Sequence, residues 1–66
     1  MKVKVLFQGK EYMVELKDEA SVADALKAAN VSIQSVIPRM NGSVVTDEDV
    51  VKEGDVIDAL RIVSGG

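Results

Sequence analysis

A chain of 66 residues is a single domain, and a core of that size supplies only about 3–5 kcal/mol of net stability. It has no cysteine and no histidine, which excludes disulfides, thiolate metal sites and the commonest general base. Eleven acidic against eight basic residues leave a net charge of −3 and no basic patch, so nucleic acid is not an expected partner.

Val3, Val5 and Phe7 alternate with Lys2, Lys4, Leu6 and Gln8, the period-two pattern of a strand with one buried face. A turn is expected at Gly9-Lys10. Tyr12, Val14 and Leu16 then alternate with Glu11, Met13, Glu15 and Lys17, and the two strands read as a hairpin. Ser21 followed three residues later by Asp24 is a weak capping box, since the serine oxygen can accept from a free helix N–H. The spacing of Val22, Ala25, Leu26 and Ala29 predicts a helix over 21–30, stopped at Asn30.

Val36, Ile37 and Met40 predict a third strand. Pro38 inside it cannot donate a ladder hydrogen bond, which leaves open an edge position, a bulge or an irregular start. Asn41-Gly42 is a turn signal, because both residues tolerate positive φ. Residues 44–46 form a short fourth strand, and the acidic stretch DEDVVKEGD is one helical turn or a loop ending at Gly54-Asp55. Its Asp47, Glu48, Asp49 and Glu53 lack the regular spacing of a Ca²⁺ loop and read as a solvated run. Residues 56–63 are the final strand. Ile57 and Ala59 are assigned to the core, which leaves Leu60 and Ile62 exposed on the opposite face, beside Ile37 or Arg39 of the third strand.

A hairpin, one helix and further strands specify an α+β domain: a mixed sheet of four to five strands with the helix packed on one face. No uninterrupted apolar run forms a signal peptide or reaches membrane-spanning length, so the chain is expected to be a cytoplasmic monomer without a membrane partner.

This layout closes on the Met40–Gly42 turn, Gly54-Asp55, an apolar last strand and a terminal Gly65-Gly66. It resembles the β-grasp, or ubiquitin-like, fold, and within it the sulfur carriers and small archaeal modifiers of the ThiS, MoaD and SAMP type. The resemblance implies a β-grasp domain over 1–63 and a flexible tail over 64–66. It implies a protein cosubstrate that is not itself an enzyme and binds no cofactor. An E1-like enzyme would use ATP to adenylate the carboxylate of Gly66. A sulfur donor such as a cysteine desulfurase would turn it into a thiocarboxylate, and a downstream enzyme would take the sulfur for thiamin, tRNA thiolation or molybdopterin. Two alternatives stay open: a ubiquitin-like modifier joined to target lysines, and a β-grasp interaction module with an inert tail.

The tail suits either carboxylate chemistry. Ser64, Gly65 and Gly66 span about 10 Å when extended, and the glycines are thin enough for a narrow channel. Ser64 has no histidine to activate it and carries no catalytic role. Leu60 and Ile62, with Ile37 or Arg39, are the expected partner-binding surface.

Overall fold

The computed structural model describes residues 1–62. Strands β1 (Lys2–Phe7) and β2 (Lys10–Glu15) form the expected hairpin, paired Val3 to Val14 and Val5 to Tyr12. The turn, however, is centred on Gln8 and Gly9, with φ of 51° and 76°, and Lys10 already belongs to β2. Two successive positive φ values twist the chain as a tight hairpin requires, and Gly9 takes its value without steric cost.

Helix α1 (Val22–Ala28) is shorter than the spacing predicts, and its start is fully satisfied. Ser21 Oγ accepts from the Asp24 backbone N–H at 3.2 Å, and Asp24 Oδ2 accepts from the Ser21 backbone N–H at 3.0 Å. The backbone N–H and hydroxyl of Ser21, with Lys27 one turn on, hold the Asp24 carboxyl below its ordinary pKa. The N–H groups of Val22 and Ala23 donate to the carbonyls of Asp49 and Asp47 at 2.8 and 3.0 Å. The acidic segment is therefore a strap across the helix N-terminus, with no helical turn of its own, because its carbonyls complete the first turn of α1. It also inserts Val51, which is fully buried, and pairs Val50 with Ser21. The helix ends at Ala28, two residues short of the expected end, and Asn30 at φ 64° turns the chain away.

A three-residue 3-10 turn (Ile33–Ser35), not foreseen in the sequence, leads into β3 (Val36–Met40). The fourth strand sits earlier than 44–46: β4 is Ser43–Val44, reached by an Asn41-Gly42 turn with φ of 54° and 80°. Pro38 explains the difference and settles its own three alternatives. It lies within a regular β3, buried, its carbonyl aimed at the β4 side and accepting from Val45 N–H at 3.0 Å. The register that pairs Arg39 with Val44 would next pair Pro38 with Val45. Proline supplies only the acceptor of that pair, so the ladder stops.

The final strand β5 (Val56–Arg61) runs parallel to β1 and antiparallel to β3, giving the sheet order β2-β1-β5-β3-β4. The sheet thus has five strands, and β5, last in sequence, lies at its centre. Val3, Val5, Val14 and Ile57 on the inner face pack against Val22, Ala25 and Leu26 of α1. Fully burying each large aliphatic side chain is worth about 1.5–3 kcal/mol. Val63 to Gly66, including the expected tail over 64–66, lie outside the described residues.

Candidate functional site

Alternation along β5 is fixed by its neighbours. Ile57 and Ala59 are 0% and 4% exposed and face the helix, as the sequence predicts. Val56, Asp58 and Leu60 consequently point to the helix-free face of the sheet. Leu60 is 39% exposed and lies directly opposite Ile37, itself 42% exposed. The two side chains share this face as an adjacent apolar pair. Arg39, two residues along β3, lies opposite Asp58, and its guanidinium donates to the Gly42 carbonyl at 3.4 Å.

Ile62 is past the end of β5 and still tethered: its backbone N–H donates to the Ser35 carbonyl at 2.9 Å. Its side chain is 46% exposed. Leu60 and Ile37 thus pair near the C-terminal end of β5 with Ile62 just beyond it, while Arg39 lies beside the middle of the strand. The chain leaves the described structure at Ile62, next to that patch. Ser64, Gly65 and Gly66 lie beyond it, outside the described residues.

The exposed apolar surface is wider than the sequence reading made it. Val56 is paired with Lys4 and is 42% exposed, Leu6 is half-buried opposite Asp58, and Val44 is exposed opposite Arg39. An open groove of about 640 Å³ runs along this face between the β1–β2 turn and the end of β5, floored by Leu6, Val56 and Leu60. Period-two alternation in the first strand already puts Leu6 on the face opposite Val5. What the alternation could not supply is that β1 pairs with β5, which lays Leu6 beside Asp58.

No group of three or more acidic residues among the described residues is placed to hold a metal ion. No helix among them is long and apolar enough to cross a membrane. Every buried side-chain nitrogen or oxygen among the described residues has a partner. The described residues present an apolar surface on the helix-free face, beside the point where β5 ends.

The same fold is found in known proteins. The chain is similar to SAMP1 from Haloferax volcanii, with a TM-score of 0.73 and 18% identity over 98% of this chain and 97% of that one. It is similar to a ubiquitin-like protein from the hyperthermophilic archaeon Caldiarchaeum subterraneum, with a TM-score of 0.62 and 17% identity over 98% and 100% of the two chains. At these identities the two show the β-grasp fold. It is also similar to the thiamine biosynthesis protein ThiS from Geobacter metallireducens, with a TM-score of 0.68 and 30% identity over the whole of both chains. The family model described as the ThiS family matches residues 4–66, nearly the full length: the chain belongs to the ThiS family.

Proposed function

We propose that the protein is a sulfur carrier whose reactive group is the carboxylate of Gly66. An E1-like enzyme joins that carboxylate to the α-phosphate of ATP, releasing pyrophosphate and leaving an acyl-adenylate. A sulfur nucleophile from a donor such as a cysteine desulfurase attacks the acyl carbon and AMP leaves. When that sulfur is the outer atom of a donor persulfide the product is an acyl disulfide; a thiol then attacks the donor's own sulfur, forms a disulfide with it, and releases the tail as a thiocarboxylate. The protein supplies no side chain to this chemistry. It supplies a docking face at Leu60, Ile62, Ile37 and Arg39, and a tail of Ser64, Gly65 and Gly66 that enters the activating enzyme.

The observation that carries this reading is the ThiS-family match that runs through Gly65-Gly66. The geometry is compatible with it: β5 holds the chain between β1 and β3 as far as Arg61, and the apolar patch lies where the strand ends. Among the sulfur acceptors, thiamin is favoured by the full-length similarity at 30% identity to a thiamine biosynthesis protein.

The test is genetic complementation. A host strain deprived of this protein is expected to require thiamin, and the full chain to remove that requirement. The chain without Gly65-Gly66 is expected to fail. Rescue by the shortened chain would support the inert-tail module instead. A defect confined to tRNA thiolation or molybdopterin would move the acceptor and keep the carrier. A remnant of the tail on lysine side chains of other proteins would support the modifier reading.

A further inference from the structure

The two edges of the sheet are treated differently. On one side β4 is two residues long, and Pro38 stops its pairing. On the other, β2 runs for six residues without a proline, and no described element pairs with its outer side. A long open edge is a template for another strand, which proteins usually blunt.

The hairpin register decides which groups that edge offers. Around a two-residue turn Phe7 and Lys10 form a hydrogen-bonded pair, and such pairs recur at every second position. The series ends at Met1 and Leu16, where Leu16 N–H donates to the Met1 carbonyl at 2.7 Å. Lys10, Tyr12 and Val14 therefore spend their backbone groups on β1. Glu11, Met13 and Glu15 turn theirs outward. Their side chains all lie on the helix-free face, and Met13, in the middle, is 62% exposed.

We propose that the β2 edge docks an extended segment of a partner protein by antiparallel strand addition. The segment carries a basic, an apolar and a basic side chain at alternate positions, opposite Glu15, Met13 and Glu11. The charge rows on the sheet select this pattern. Lys2 of β1 is opposite Glu15, and Lys4 bridges to Glu11 at 2.9 Å. A cation on the open side continues the alternation of sign, whereas an acid would meet like charge directly opposite. A second copy of the chain fits less well. Pairing centred on Met13 would set Glu11 of each copy against Glu15 of the other. The added strand lies at the far side of the sheet from β3, so it leaves the Leu60–Ile37 pair free.

The test uses the full chain, labelled with ¹⁵N, and two capped peptides, Thr-Lys-Thr-Val-Thr-Lys-Thr and Thr-Glu-Thr-Val-Thr-Glu-Thr. The basic peptide is expected to shift the backbone amides of Glu11, Met13 and Glu15 most, and to bind about tenfold more tightly than the acidic one. Met13→Pro removes one outward N–H at an edge position and is expected to abolish binding with the amide spectrum still dispersed. Should that variant not fold, the double variant Glu11→Lys/Glu15→Lys serves instead and is expected to prefer the acidic peptide. Equal binding of the two peptides, shifts centred on Leu60 and Ile37, or a dimer of the chain paired through β2 would each overturn the proposal.

Discussion

Truncating Leu60 or Ile37 separates docking from folding, and the size of the effect follows from their exposure. A fully buried leucine or isoleucine side chain is worth about 1.5–3 kcal/mol. About 60% of each is already covered within the domain, since 39% and 42% remain exposed. Covering the remainder against an activating enzyme is thus worth roughly 0.6–1.2 kcal/mol per residue. Leu60→Ala and Ile37→Ala should each lower kcat/KM for ATP-dependent adenylation roughly threefold to eightfold. The fold loses roughly 0.9–1.8 kcal/mol from the same substitution, which a domain of about 3–5 kcal/mol survives. The assay is pyrophosphate release by the cognate E1-like enzyme, with the folded fraction of each variant checked by circular dichroism. Val50→Ala is the control. Val50 is 56% exposed and equally apolar, but its partner Ser21 places it by the helix N-terminus rather than on the open sheet face. It should leave kcat/KM unchanged. If Leu60→Ala and Ile37→Ala behave like Val50→Ala, the helix-free face is not where the enzyme docks.

Leu26→Ala should cost about 2–5 kcal/mol, because Leu26 is fully buried at the centre of the core, and the variant should be largely unfolded by circular dichroism. Gly42→Ala should lower the melting temperature through strain alone: Gly42 holds φ 80° with nothing within 4 Å of where a Cβ would sit, and the left-handed region costs about 1–2 kcal/mol. Asp24→Asn tests the cap by pH. The folded pKa of Asp24 lies below its unfolded value, so its carboxylate stabilises the fold above the unfolded pKa and loses that contribution as pH falls through the folded one. Urea midpoints should therefore show a smaller fall for Asp24→Asn than for the natural chain when pH drops from about 7 to about 2.

What could be read ahead of the structure were the features carried by local spacing. Alternation gave β1 and β2, and also the right face of β5, with Ile57 and Ala59 inward and Leu60 outward. Ser21 and Asp24 announced the helix start because both halves of a capping box lie within one turn. Features set by contact between distant segments were not legible. The strap over residues 47–51 gives up a helical turn because its carbonyls serve Val22 and Ala23, some twenty-five residues earlier. β4 is cut short by Pro38 on the neighbouring strand, an effect that shows only once the β3–β4 register sets Pro38 against Val45. The same holds for the surface. Leu60 and Ile62 were named from their own strand, and Ile37 from the guess that its strand lies alongside. Alternation also put Val56 on the face of Leu60 and Leu6 opposite Val5; that these faces join into one surface required the sheet order, in which β5 enters between β1 and β3.

The central claim concerns a single group, the carboxylate of Gly66, and intact-protein mass spectrometry addresses it directly. The full chain is incubated with its cognate E1-like enzyme, ATP and a sulfur source. The account predicts a population in which one oxygen has been replaced by sulfur, with the change confined to Gly66 in the C-terminal fragment and absent when ATP is omitted. Adenylation of the chain without any oxygen-for-sulfur exchange, under conditions where a known carrier is converted, would contradict it.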